Sequence, residues 1–332
     1  MSDSPDRYDA AAIEWLLAGD PAIRWQVMRD LLDAPEPEWQ TERAKVETEG
    51  WGAELLSHED ADGQWAGGAF APAGFDWSEW EQVGQPWTAT TYALTQLREL
   101  GLDPESARAR RAVALVGENS RWDHDGQPFW EGEVEECING RTLADGAYFG
   151  VDMAPLAQRL VGERLDDGGW NCERANGSSR SSFDTTINVL EGLLEYERAT
   201  GGTGDSVAAR RTGEEFLLAR GLFRRLSTGE PADEDFLRLG YPNRWRYDVL
   251  RALDHFRAAA SLTGATPDPR LGEAVEHVRS RRSDDGTWPL ERELAGRIWF
   301  PLDDGEGKPS RWITLRALRV LRWYDAAQPR SA

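Results

Sequence analysis

The groups with the most to offer chemically are acids at the starts of helical stretches. Asp184 stands in Ser181-Ser-Phe-Asp-Thr-Thr186, and Glu135 and Glu136 directly precede Cys137. A carboxyl group buried under aromatic rings has a raised pKa and can donate a proton as a general acid. Asp184 and Glu136 are therefore the two candidate catalytic acids. Each has a structural reading beside it: Asp184 suits a helix N-cap, and the glutamate pair suits a first turn or a solvated loop. A third acidic run, Asp303-Asp304-Gly-Glu306, reads as a turn. The two cysteines, Cys137 and Cys172, are too few for a disulfide framework. Glu135-Glu136-Cys137 with His255 would offer zinc a carboxylate, a thiolate and an imidazole. His255 lies well inside its helix, however, so no metal and no other cofactor is expected. As a nucleophile, Cys137 lacks a nearby base. No phosphate-cradling glycine loop, Ser-His-Asp arrangement or His-Glu-x-x-His run is present.

Cations and rings gather at the same helix starts. Arg24, Arg246 and Arg311 each lead a related segment, and Arg141, Arg244 and Lys308 lie close by in sequence. A cation at a helix N-terminus is disfavoured by roughly 0.3–1 kcal/mol, so several together call for carboxylates or an anionic ligand. Such a ligand would also meet free backbone N–H groups. Trp87, Trp245, Trp312 and Tyr247 share these positions, with Cys137 and Asn139 between them, and together these residues make up the candidate substrate-binding set. Sixteen tryptophans exceed what a core of this size needs, so some are expected to wall a cavity. Aromatic walls stabilise carbocations, stack on sugars or hold flat apolar molecules. The competing reading is structural: Trp25/Arg29, Tyr247/Arg251 and Trp312/Arg316 are spaced to stack as cation–π staples, and loop tryptophans can lock helices together.

What must position these groups is a repeat. Arg311-Trp-Ile-Thr-Leu-Arg-Ala-Leu318 recurs as Arg24-Trp-Gln-Val-Met-Arg-Asp-Leu31 and Arg246-Tyr-Asp-Val-Leu-Arg-Ala-Leu253. Looser copies start at Thr90, Asn139 and Thr186, and the six starts lie on average about 57 residues apart. Apolar spacing of three and four predicts helices over 8–18, 22–33 and 36–56, the last broken near Gly50, and from Pro86-Trp87 to Gly101. Further helices are expected near 104–117, 137–149, 152–164, 184–198, 206–219, 245–261, 269–282 and 310–325. Loops of one type join them: Asp62-Gly-Gln-Trp65, Asp166-Asp-Gly-Gly-Trp170 and Asp284-Asp-Gly-Thr-Trp288, with a looser Asp123-His-Asp-Gly126. Glycine supplies the positive-φ turn and aspartate the local backbone bonds. An aromatic insertion carries Phe70, Phe75, Trp77 and Trp80, and the loop from Gly221 to Asn243 lacks the signature.

These Asp-Gly-x-Trp loops, set between helices at this spacing, resemble the QW repeats of the squalene–hopene cyclase and protein-prenyltransferase β-subunit superfamily. The resemblance covers nearly the whole chain and implies an all-α fold, an (α/α)6 toroid of six inner and six outer helices in one domain, with tails at 1–7 and 327–332. It implies a central cavity ringed by inner-helix N-termini, and acid-initiated carbocation chemistry on a prenyl or other hydrophobic substrate, with or without an anionic head group. The chain departs from the pattern at the chemistry. It has no Asp-x-Asp-Asp acid motif, no Asp-Asp-x-x-Asp, and neither cysteine has Asp two places before it.

Composition sets the remaining limits. The balance of 59 acidic against 38 basic residues, a net charge of −21, argues against nucleic acid and anionic membrane as partners. No apolar run is long enough to span a bilayer, and Met-Ser-Asp-Ser-Pro-Asp has no signal-peptide character, so a cytoplasmic protein is expected. Three functions fit: a cyclase-like enzyme, a non-catalytic toroid binding an amphipathic small molecule or a peptide, and a hydrolase or lyase on acidic carbohydrate. Fold alone does not choose between them.

Overall fold

Inner and outer helices are told apart by how many of their faces are buried. The computed structural model describes residues 5–327 and contains, among them, helices α1 (Pro5–Leu17), α2 (Pro21–Asp30), α3 (Glu36–Ala44), α4 (Gly50–Ser57), α5 (Trp80–Val83), α6 (Thr90–Leu100) and α7 (Ala107–Asn119). There follow α8 (Glu136–Tyr148), α9 (Ala154–Gly162), α10 (Phe183–Thr200), α11 (Gly204–Leu218), α12 (Val249–Thr263), α13 (Gly272–Ser280) and α14 (Arg311–Ala326). In α8 every residue from Glu136 to Ala147 is buried, whereas α7 buries only the stripe Ala109, Ala112, Val113 and Val116. A helix buried on all sides belongs inside, and a striped one covers it. Accordingly α2, α6, α8, α10, α12 and α14 form the inner ring, and α1, α3 with α4, α7, α9, α11 and α13 the outer layer. The chain is an α/α toroid. No strand occurs among the described residues, only isolated bridges.

The loop tryptophans set the spacing of the layers. Trp65, Trp170 and Trp288 are fully buried. Each indole N–H donates to a carbonyl ten residues earlier, at the end of the preceding outer helix: Leu55 at 2.8 Å, Leu160 at 2.7 Å and Val278 at 2.7 Å. Each tryptophan backbone N–H donates to a threonine hydroxyl on the next inner helix: Thr90 at 3.1 Å, Thr186 at 3.1 Å and Thr314 at 2.9 Å. One residue thereby satisfies an orphan helix-end carbonyl through its indole and fixes the following helix through its backbone N–H. These contacts also correct the repeat register. Thr90 and Thr186 are equivalent to Thr314, not to Arg311, a slip of three residues that the apolar spacing alone does not detect.

A belt of buried ion pairs closes the ring. Arg98 pairs with Asp145 (2.8 Å), Arg251 with Glu191 (2.6 Å), Arg316 with Asp254 (3.3 Å), and Arg319 with Asp254 and Asp30, the last at 3.3 Å. These contacts join α6 to α8, α10 to α12, α12 to α14 and α14 to α2. Burial alone would raise Glu191, but the Arg251 guanidinium overrides it and holds the carboxyl down at about 2. Asp254, ringed by Arg319, Arg257 and Arg316, is likewise held far below the usual carboxylate range despite its burial. Between α8 and α10 the contact is backbone to backbone: a Cβ on Gly192 would lie 2.3 Å from the Gly140 carbonyl oxygen.

Two inner helices begin later than the sequence predicts. α6 starts at Thr90 instead of Pro86-Trp87. α12 starts at Val249, because the Asp248 carboxylate caps it by accepting from the Arg251 N–H at 2.8 Å. Residues 244–247 are consequently a turn, with Arg244 in the left-handed region at φ 54°.

Two outcomes follow. Gly192→Ala forces α8 from α10 and is expected to lower stability by about 1–3 kcal/mol, read from denaturant midpoints. Because Glu191 is depressed in the folded state, the stability it contributes is complete above its ordinary value of 4.5 and is lost as pH falls toward 2. Glu191→Gln should flatten the pH dependence of unfolding in that window, and an unchanged slope would contradict the assignment.

Candidate functional site

At the N-terminal ends of α6, α8 and α12 lies a cavity of about 470 Å³. Phe70 and Trp77 from the aromatic insertion, Trp122 from the following loop and Trp245 from the turn before α12 wall it, and Tyr92 of α6 closes one side. Phe70 stacks 6.3 Å from Trp77 and lies 5.6 Å from Tyr92, while Trp87 meets Tyr92 edge-on from outside the cavity at 5.0 Å. The side chain of Trp80 lies outside the described residues.

Arg141 enters this apolar wall from α8. It is 5% exposed, sits 5.1 Å from the Tyr92 ring, and neither its Nε nor its Nη1 has a hydrogen-bond partner. Burial pushes its pKa down. Arg244 approaches the same ring at 5.9 Å and Trp87 at 5.5 Å. Burial and the neighbouring Arg141 bring Arg244 down to about 10. Among the described residues, neither guanidinium pairs with a carboxylate. A buried charge without a paired carboxylate is costly, and here only ring faces and more distant carboxylates such as Glu99 offset it.

In the same cavity, Glu135, Cys137 and Cys172 converge, with their ligand atoms all within 4.8 Å of one another. Glu135 is the N-cap residue of α8, Cys137 lies in its first turn, and Cys172 follows the clamped Trp170 by two residues. The Cys137 thiol donates to Glu135 Oε2 at 3.4 Å. Its contact with Cys172, together with burial, raises Cys137, while the same contact lowers Cys172 to about 7. Burial raises Glu135.

Of the residues singled out from the sequence, Phe70, Trp77, Glu135, Cys137, Arg141, Cys172 and Trp245 line this cavity, and Arg244 borders it through Tyr92. The others lie elsewhere. Glu136 is 1% exposed and turned away, ion-paired with Arg174, which also holds Glu163 at 2.9 Å. Asp184 accepts the Tyr247 backbone N–H at 2.6 Å, fastening α10 to the turn before α12, and burial raises its carboxyl. Arg24 is tied to Glu42 at 2.5 Å and to the Gly19 carbonyl at 2.7 Å. Arg311 covers the Trp15 ring at 4.4 Å, and the exposed Arg246 covers Trp245 at 4.1 Å. Asn139 pins the backbone of Glu133 through two hydrogen bonds, at 2.6 and 2.7 Å. Tyr247 donates its hydroxyl to the Leu222 carbonyl (2.6 Å), and Trp87 its indole N–H to Ala295 (2.9 Å). Trp312 stacks on Tyr241 at 4.4 Å beside a second, charge-lined cavity, and Lys308 is exposed. His255 is paired with Glu214 at 2.9 Å, remote from either thiol's cavity.

Tyr92 and the meeting of the two cysteines escape a reading of the sequence. Tyr92 sits in a repeat copy that reads as apolar skeleton. Cys172 had a usable signal: it follows a loop tryptophan by two residues, and such loops end at the ring's mouth.

No known family profile matches the chain, and no curated protein sequence does. Among solved structures, a polysaccharide lyase aligns with 97% of this chain and 92% of its own, at 12% identity and a TM-score of 0.50. A protein from Actinoplanes aligns with 97% of this chain and 100% of its own, at 14% identity and a TM-score of 0.46. Identities this low establish likeness of fold only.

Ser182, not Asp184, is the N-cap of α10. If Asp184 serves the helix junction, Asp184→Asn should lower stability by about 1 kcal/mol, as weakening of a charge-assisted hydrogen bond does, while small-molecule binding in the aromatic cavity is kept. Loss of binding at unchanged melting temperature would instead make Asp184 a site residue.

Proposed function

We propose that the protein is an enzyme acting on a small amphipathic anion, whose apolar body lies among Phe70, Trp77, Tyr92, Trp122 and Trp245 and whose charged group meets Arg141. The observation that carries this reading is the buried Arg141 guanidinium, with two nitrogen atoms unpartnered at the wall of a cavity of about 470 Å³. Such a volume suits a ligand pocket, and a largely apolar wall with a few convergent polar groups is how such pockets are built. A hydrophobic substrate with an anionic head, the class implied by the QW-type repeat, fits this description. The ring faces would stabilise positive charge developing on its carbon skeleton. Asp184 and Glu136, engaged with Tyr247 and Arg174, stand outside the reaction in this reading. Enzyme is favoured over passive binder because Glu135 and both thiols face the cavity without a structural ion pair.

The fold likeness to a polysaccharide lyase, with Arg141 beside Tyr92, supports a second reading. A cation on a uronate carboxylate stabilises the carbanion left when a base on the same wall, in this reading the Glu135 carboxylate, takes the C5 proton. The C4–O bond then breaks, a C4–C5 double bond forms, and a phenol can protonate the departing oxygen.

Calorimetry with 2-naphthoate and with its neutral analogue 2-naphthol tests the first reading. The wild type should prefer the anion, and Arg141→Met should weaken the anion's binding roughly 10- to 150-fold, the worth of a charge-assisted hydrogen bond, with little effect on the alcohol. Equal binding of both by the wild type, or an undiminished preference for the anion in a folded Arg141→Met variant, would overturn it. Release of an unsaturated uronide from oligogalacturonate would select the second reading.

A further inference from the structure

We infer that Glu135, Cys137 and Cys172 form a binding site for a zinc-like, thiophilic divalent metal ion, with one coordination position open to the aromatic cavity. The three donor atoms already lie within 4.8 Å of one another. A tetrahedral zinc ion, with bonds of about 2.0–2.3 Å, needs ligand edges of roughly 3.5–3.8 Å, so the donors must close by about an ångström or less. Two thiolates with a carboxylate select a borderline-soft ion over calcium or magnesium.

Each donor is held by a rigid feature. Glu135 and Cys137 straddle the start of α8, and Cys172 opens a short 3-10 turn just after the clamped Trp170. The groups behind them are fixed as well. The Glu135 N–H donates to Glu133 Oε2 at 2.6 Å, Asn139 holds the Glu133 backbone, and the Cys172 N–H donates to Thr185 Oγ1 at 3.2 Å. Such outer contacts orient metal ligands. Glu135 differs here from its neighbour: Glu136 is taken by Arg174, whereas Glu135 has no arginine or lysine partner among the described residues. His124 lines the same cavity but is turned to Asp125 at 3.2 Å, so the protein offers three ligands. Three protein ligands and an open position mark a reactive zinc site, four a structural one.

Charge supplies an independent argument. Arg141 follows Cys137 by one helical turn on α8 and faces the same cavity. When zinc binds, both thiols lose their protons to solvent, and the resulting complex carries one net negative charge. Two guanidinium groups, Arg141 and Arg244, stand nearby without carboxylate partners. They set their charge against that complex and against Asp123 and Glu133 on the same wall, so an anionic group on the substrate is met by Arg141 itself. That group would lie between the metal's open position and Arg141.

The test is cobalt substitution. Full-length protein, purified in a phosphine reductant and stripped with dipicolinate, is titrated with Co²⁺. The expected result is thiolate-to-cobalt charge-transfer and tetrahedral d–d bands saturating at about one ion per chain. Cys137→Ser and Cys172→Ser should each cut the charge-transfer intensity by about half or more, the double variant should abolish it, and Glu135→Gln should weaken the affinity about tenfold or more. Arg141→Met should leave the bands in place, so failure of the anion reading is distinguishable from failure of this one. A folded, reduced wild type that binds no Co²⁺, or serine variants with unchanged spectra, would overturn the site; circular dichroism establishes that each variant is folded.

Discussion

The structure depends on one three-way contact, repeated round the ring: a buried loop tryptophan donating to the end of an outer helix and to a threonine at the start of an inner one. Trp65, Trp170 and Trp288 all make it, with the same ten-residue spacing to the carbonyl they satisfy. An outer helix with a single apolar stripe cannot persist alone, and the tryptophan anchors it where its stripe meets the ring. Since the clamp lies at the N-terminal ends of α6, α10 and α14, whatever follows a clamped tryptophan is delivered to that end of the ring. The inner helices therefore bring Tyr92, Cys137 and Arg141 to a mouth already bordered by loop rings.

Inside the ring, charge is handled in two contrasting ways. Along the axis arginines and carboxylates are matched, as in Arg98 with Asp145 and Arg251 with Glu191, and the carboxylates that take several arginines are strongly acidified. Buried pairs of this kind fix geometry more than they add stability, because desolvation offsets much of their attraction. At the mouth the matching stops. Arg141 and Arg244 share a tyrosine ring with no carboxylate of their own, and the backbone of Arg244 is held in a left-handed conformation that costs about 1–3 kcal/mol in a non-glycine residue. A fold that matches the charges along its axis leaves these two guanidiniums without a carboxylate, which is the place the proposed anionic substrate would fill.

Much of the architecture was legible because a long repeat is a strong signal. The Asp-Gly-x-Trp loops, the proline and glycine punctuation and the 3.6-residue spacing place inner and outer helices to within a few residues. The register of the repeat was not legible: a pattern with apolar positions every three or four residues looks nearly the same after a slip of one turn, and only the threonine hydroxyls show the alignment. The site was partly legible. Cys137, Arg141, Arg244 and Trp245 stood out by type and position, but Arg24 and Arg311, which carry the repeat most clearly, turned out to contact Glu42 and Trp15. Sequence spacing reports which helix end a residue occupies, not which way around the helix its side chain points. The convergence of Cys172 on Cys137 joins a loop to a helix 35 residues away, and only the closed ring brings them together.

The account stands or falls on where an anion settles. A crystal structure of the protein with 6-bromo-2-naphthoate, its bromine located by anomalous scattering, addresses this directly. The bromine should lie among Phe70, Trp77 and Trp245, with the carboxylate against the Arg141 guanidinium. A ligand found instead in the charge-lined cavity beside Trp312, or one in the aromatic cavity with its carboxylate pointing away from Arg141, would contradict it.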